Sequence, residues 1–309
     1  MVDEEEINGK VISFLNMKGG VGKTTLCKEI GYHLAKNKGF KVLFIDIDPQ
    51  SNLTQSLFVK YNYTTNKLYS LLSDEEKRLD SQKTKNKLII SNASIENLFT
   101  DGRVITDTSD IILNIDSIDN IDLIPGELDT VFLGRTAGGA EKENKLDNFI
   151  LENKLNEIYN YILIDCPPTY SFYTTAALNC SDYYFVPVSV DSYSILGIDL
   201  LEKVVTHLKQ NDIRRFRYKN LENLGIIFNP QNGLKKKTLE ENISAIKKSY
   251  SLEKHNLYFF DNRFRFKNSF RLNSGYFVDD YSDRKSINNL DLIVDEFLER
   301  INIISSEEE

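Results

Sequence analysis

The sequence predicts an α/β fold, a mainly parallel twisted sheet with helices on both faces, and three observations carry that expectation. Short apolar runs alternate with longer amphipathic segments, the pattern of repeated strand–helix units. Several of those runs are apolar at both alternating sets of positions, as strands covered on two faces are. A glycine-rich turn, "KGGVG" at Lys18–Gly22, joins the first apolar run to the first helical segment.

Taken in order, a strand is expected at Val11–Met17 and a helix at Lys23–Asn37, stopped by Gly39. A second strand follows at Lys41–Asp48. The stretch Tyr61–Asn120 is rich in Asn, Lys, Ser, Thr and Asp, with only short apolar clusters such as "KLYSLL" and "KLIIS". It reads as an elaborated connection with a helix and an added hairpin. Beyond it, strands are expected at Asn120–Pro125, Tyr161–Cys166, Tyr183–Val190, Leu224–Asn229 and Asn256–Phe260. Helical spacing fits Lys142–Tyr159, Leu196–Gln210, Lys237–Ser249 and Ile287–Ile301. There is no internal repeat or low-complexity linker, so residues 1–309 are expected to form a single domain with acidic termini.

Composition narrows the function classes. Hydrophobic residues at 41% and charged residues at 27% suit a soluble globular chain with a sizeable core. No apolar run approaches the length of a membrane span, and "MVDEEE" lacks the layout of a signal peptide, so a cytoplasmic location without membrane binding is expected. Cys27, Cys166 and Cys180 share no metal-ligand spacing and read as buried thiols in a reducing compartment. His33, His207 and His255 are scattered, which argues against a zinc or histidine-based site. The net charge of −8 hides an asymmetry: Lys203–Lys285 hold 18 Lys/Arg against 9 Asp/Glu.

The stretch "NMKGGVGKTTLC" (Asn16–Cys27) carries the chemistry. A strand, a glycine turn and a helix start together aim backbone N–H groups and the helix dipole at one point, which suits a phosphate. Gly19, Gly20 and Gly22 let the backbone approach phosphate oxygens, with Val21 between them. Lys23 is placed to reach the β- and γ-phosphates, and the Thr24 hydroxyl to bind Mg²⁺. Two further strand ends supply carboxylates, where open α/β sheets bind ligands: Asp46 and Asp48 in "VLFIDID", and Asp165 in "YILIDCPP". We assign Asp165 to the magnesium shell, through water, and Asp48 to the attacking water. The loop departs from the standard pattern, because Met17 stands where a glycine is usual and a second lysine, Lys18, follows at once.

With those residues in hand, the chain resembles the ParA/MinD family of deviant Walker ATPases, most closely its ParA-type DNA partition branch, in the form without an N-terminal helix-turn-helix domain. "KGGVGKTT" (Lys18–Thr25), "DIDPQSNLT" (Asp46–Thr54) and "YILIDCPP" (Tyr161–Pro168) match three family motifs in the right order. The resemblance implies a P-loop fold, ATP and Mg²⁺ as cofactors, and a homodimer that sandwiches ATP, with Lys18 reaching the partner's phosphates and Thr25 completing the loop. A cation supplied in trans would stabilise transition-state charge as an arginine finger does. The family also implies a stimulating partner, often a ParB-like centromere-binding protein. Asn229 is placed to read the adenine edge, although an Asn before Pro230 equally suits a turn.

The basic third then points to nonspecific DNA. "IRRFRYK" supplies Arg214, Arg215 and Arg217, and "RFRFKNSFR" supplies Arg263, Arg265, Lys267 and Arg271, at positions where ParA-type proteins use cations to hold DNA. Phosphate contacts of this kind give sequence-independent, salt-sensitive binding and association with the nucleoid. Asp261 stands where the family often has proline. The end, "DEFLERINIISSEEE", is too acidic for the basic amphipathic helix of membrane-binding relatives. The alternative reading is an ATP-gated scaffold that positions a protein cargo and binds little or no DNA.

Overall fold

The computed structural model describes residues 7–83, 85–100, 107–116, 120–127, 139–191, 193–229, 235–265, 275–280 and 283–308. Its N-terminal part runs β1 (Lys10–Phe14), α1 (Lys23–Lys38), β2 (Val42–Asp46) and α2 (Asn52–Tyr61). A connecting region follows: β3 (Tyr63–Thr65), α3 (Asn66–Ser70), α4 (Asp74–Ser81), β4 (Ile89–Ser91) and α5 (Ile95–Phe99). Next come β5 (Leu113–Asp116), β6 (Ile121–Ile124), α6 (Ala140–Glu152), α7 (Leu155–Ile158), β7 (Tyr161–Asp165) and α8 (Phe172–Cys180). The chain continues through β8 (Tyr183–Val188), α9 (Ser194–Asn211), α10 (Ile213–Phe216), β9 (Glu222–Phe228), α11 (Lys236–Lys247), α12 (Tyr250–Glu253) and α13 (Arg284–Glu308).

Seven strands form the main sheet in the order β5-β6-β2-β7-β1-β8-β9. All its pairings are parallel except β5 with β6 at one edge. Period-two alternation sorts the side chains of the central strands. Val11, Leu43 and Ile162 enter a core with Phe149, Ala176 and Leu201 of α6, α8 and α9. Ile12, Phe44 and Leu163 enter another with Leu26, Ile30, Val294 and Phe297 of α1 and α13. Burial of each such side chain contributes roughly 1.5–3 kcal/mol. Gly31 lets α1 lie close on the sheet, since a Cβ there would stand 2.4 Å from the Phe44 ring.

The predicted fold class is the one observed, and α1 stops at Gly39 in the left-handed region as expected. Several elements differ. The helix expected over Lys142–Tyr159 breaks between α6 and α7, where Lys154 takes φ 50°. Asn256–Phe260 forms no full strand; Phe259 bridges Ile226, and the Ile226 and Phe260 N–H groups supply the bonds. Within 61–120, β3 and β4 pair in parallel, joined by α3 and α4 instead of a tight turn, and the antiparallel pairing comes only at its end, where β5 meets β6. The longer helices α2 and α8 escaped the sequence pattern, as did the four-residue α10 and α12. In α8, every residue from Tyr173 to Cys180 is buried, so no polar face marks a helical period.

Candidate nucleotide site and basic surface

The three chemically loaded turns leave adjacent strands. β1, β7 and β2 are neighbours in the sheet, with Phe14 in register with Asp165 and Asp165 with Asp46. The phosphate loop, Asp165 and the Asp46–Asp48 turn therefore meet at the carboxyl ends of the strands, where a parallel sheet presents ligands.

The loop has the shape of a cradle. Gly20 and Gly22 take φ +74° and +98°, which L side chains rarely adopt. A Cβ added at Gly19 or Gly20 would meet nothing within 4 Å, so the space over this part of the loop is open. Gly22 serves a second purpose, because a Cβ there would lie 2.1 Å from Asn229 Nδ2. That nitrogen donates to the Val21 carbonyl at 2.8 Å and braces the loop from the end of β9. No side chain caps the N-terminus of α1, whose first residues are Lys23, Thr24 and Thr25.

Beneath the loop the electrostatics are tense. The Thr24 hydroxyl donates to Asp165 Oδ2 at 2.6 Å, so the two groups expected to serve magnesium already touch. Asp165 and Asp46 are fully buried, and Oδ1 of each has no hydrogen-bond partner. Burial pushes Asp165 well above the usual carboxylate range, and the nearby Asp46 adds to the effect. Burial likewise raises Asp46 to about 7, although Thr54 opposes it by donating both its N–H and its hydroxyl at 2.8 Å. Lys23 is buried, which lowers its ammonium pKa against the pull of Asp165 and Asp48. Its Nζ lies 3.4 Å from the Lys18 carbonyl. Asp48 accepts from the Gln50 N–H at 2.9 Å, which holds its turn closed. Orphaned carboxylate oxygens beside a buried lysine and a hydroxyl form a donor set that fits a hard divalent cation together with phosphate oxygens.

Several contributors carry no obvious sequence signal. Lys18 is paired with Asp191, beyond the end of β8, and its Nζ also lies 3.2 Å from Ser189 Oγ. Asp191 sits below the usual carboxylate range: burial would raise it, but Lys18, Ser189 and the Tyr193 N–H outweigh that. Asn16 orients the start of the loop, accepting from the Lys18 N–H at 2.9 Å and donating to the Pro187 carbonyl at 2.7 Å. Thr54 links Asp46 to the end of β6, where its hydroxyl accepts from the Gly126 N–H at 2.8 Å.

A family model described as an AAA domain matches residues 9–218 of the chain. An uncharacterised protein of Methanocaldococcus jannaschii is 32% identical over 235 residues, covering 75% of this chain and 78% of its own. The chain belongs to the AAA-domain family of P-loop proteins, in its ParA/MinD type. The sporulation initiation inhibitor protein Soj of Bacillus subtilis is 33% identical over 205 residues, covering 64% of this chain and 65% of Soj. Among solved structures, a putative plasmid partition protein of Borrelia burgdorferi bound to AMPPNP shares the fold with a TM-score of 0.63 and 22% identity. That match covers 95% of this chain and 99% of the other. A variant of Cyanothece McdA in complex with ATP gives a TM-score of 0.68 at 20% identity, covering 94% of this chain and 96% of its own.

In this ParA/MinD-type chain the expected DNA-binding cations are divided. Arg214, Arg217 and Arg265 are exposed. Arg215 is not, and its guanidinium pairs with Asp147 and Asp212 and donates to Asn144 and the Asn179 carbonyl. Arg263 makes a fork of two 2.7 Å bonds to Glu240 of α11. Lys267 and Arg271 lie outside the described residues. Among the described residues no helix is long and apolar enough to cross a membrane.

Proposed function

We propose that this protein is an ATP-dependent, dimerising partition ATPase that holds DNA nonspecifically in its ATP state. The observation that carries the reading is the two-lysine loop, Lys18 and Lys23, set over Thr24, Asp165 and Asp48. ATP would lie along Gly19–Thr25, its phosphates against the backbone N–H groups and Lys23, with Mg²⁺ served by Thr24 and, through water, Asp165. Magnesium would neutralise charge on the transferred phosphoryl. Asp48 orients the attacking water, and Lys18 leaves Asp191 to act on a partner's phosphates. The bracing of Val21 by Asn229 supports a positioning role for that residue beside the adenine contact we assign to it. The name of the Borrelia plasmid partition protein favours partition as the process. A partner protein of the ParB kind would stimulate turnover.

The internal pairing of Arg215 and Arg263 favours a second reading, an ATP-gated scaffold for a protein cargo, because it leaves fewer cations for phosphate. Sedimentation with random-sequence DNA, in ATP and in ADP, separates the two. The partition reading expects ATP-dependent binding that weakens with salt and is lost in Arg265→Glu. No binding at low salt in ATP would refute it.

A further inference from the structure

The two helices that leave the nucleotide turns meet again at one carboxylate. α1 starts at Lys23, and α2 starts at Asn52, just beyond Asp48. At their far ends, Tyr32 and Lys36 of α1 donate to Asp280 Oδ1 at 3.0 and 2.8 Å, while Lys60 of α2 donates to Oδ2 at 2.5 Å. The Lys60 ammonium also lies over the Tyr32 ring, 4.4 Å from its centroid. Asp280 belongs to a short segment that α1 grips along one helical stripe. Lys28 donates to the Tyr276 carbonyl at 2.7 Å, Glu29 accepts from the Val278 N–H at 2.8 Å, and His33 meets Asp279 at 3.0 Å.

That segment is followed closely by α13, and α13 holds the backbone at Arg263 and Arg265. Asn289 accepts from the Arg265 N–H at 2.9 Å and donates to the Arg263 carbonyl at 3.0 Å. Two residues further on, Asp291 meets the other nitrogen of His33 at 3.1 Å. The two helices therefore lead from the phosphate and carboxylate turns to Asp280, and His33 joins that segment to α13, which holds the backbone that presents Arg265.

We propose that Asp280 is a positioning residue that couples the nucleotide site to the surface carrying Arg265, by locking α1 and α2 against the first turns of α13. A single carboxylate keeps bonds to two ammonium groups and a phenol only in one relative placement of the two helices. A shift of α2 when nucleotide engages the Asp48 turn breaks one arm, and the first turns of α13 move with the rest. The proposal rests on the partition reading for its consequence at DNA, and on the contacts alone for the coupling.

The test compares the full-length protein with Asp280→Asn, which keeps an acceptor for Tyr32 but loses the charge that holds the two lysines. The first readout is the ratio of affinities for random-sequence DNA in ATP and in ADP, expected to fall about fivefold or more. The added positive charge raises both affinities alike and leaves the ratio untouched. The second readout needs no DNA: the difference in amide hydrogen exchange over 275–290 between the ATP and ADP states, present in the unaltered protein and lost in the variant. Asp295→Asn removes a surface pair with Lys38 on the same layer and leaves both readouts unchanged. Lys60→Met, which cuts only the α2 arm, repeats the test if Asp280→Asn folds poorly. Unaltered gating in Asp280→Asn and Lys60→Met, or no exchange difference in the unaltered protein, overturns the coupling. An exchange difference erased by Asp280→Asn in a protein that never binds DNA would uphold the coupling and refute the partition reading.

Discussion

The phosphate site and the basic third use charge in opposite ways. At the phosphate site, Asp46, Asp165 and Lys23 are buried, and two carboxylate oxygens lack partners. Charge there is under-compensated by the protein's own groups. In the basic third, Arg215 is fully engaged with its neighbours and Arg263 is forked onto Glu240, while Arg214, Arg217 and Arg265 face solvent. Part of that charge holds the protein together and part is available. A run of arginines in a sequence is thus not one feature but two, and only tertiary contacts separate them.

The largest expected effect tests the under-compensated side. Lys18→Ala should reduce ATP turnover by about 10³ or more, the scale of a lost transition-state cation, with nucleotide binding retained. A modest drop in steady-state turnover would show that Lys18 serves the structure through Asp191 instead.

A smaller effect sharpens the division among the arginines. Arg215→Ala weakens the pairing of the buried Asp147 and should destabilise the protein by about 3 kcal/mol, read from the denaturant midpoint. Lys219, also on Asp147 at 3.2 Å, sets how much of that loss is recovered. Arg214→Ala should leave stability within about 0.5 kcal/mol yet weaken DNA binding and lower its salt slope by about 1. Equal stability losses in the two variants would erase the distinction.

The smallest effect concerns pH. His33 lies between Asp279 and Asp291, with Lys38 also on Asp291. Burial disfavours the imidazolium, but the two carboxylates outweigh it and raise the histidine above its ordinary value. The folded state therefore holds the proton more tightly than the unfolded one. The stabilisation is complete below about pH 6.5 and is lost as pH rises through the folded value. Asp46 and Glu29, each raised to about 7, tilt stability the same way at lower pH. His33→Gln should flatten the decline above pH 6.5; an unchanged slope would place it elsewhere.

What the sequence revealed follows the same line. Gly22, Lys23, Thr24 and Asp165 were legible because a strand, a turn and a helix start determine their placement locally. Lys18 was legible as an anomaly, but its hold on Asp191 spans 173 residues and leaves no local trace. The Arg215–Asp147 pair, 68 residues apart, and the Thr54 staple to Gly126 were hidden for the same reason. The fold class came through because strands buried on both faces are apolar throughout. α8 and the β3–β4 pair did not, since one lacks a polar face and the other is three residues long on each side.

The central claim, that the site is complete only when two copies meet, is tested most directly by mixing two inactive proteins. Lys18→Ala and Asp48→Ala subunits, combined in equal amounts before ATP is added, form mixed dimers in about half of the pairs. If Lys18 acts in trans, one of the two sites in each mixed dimer has both an intact Asp48 and a partner's Lys18, so roughly one quarter of the unaltered rate should return. If Lys18 acts on its own subunit's phosphates, no site in the mixture is whole, and a rate no higher than that of either variant alone would contradict the account.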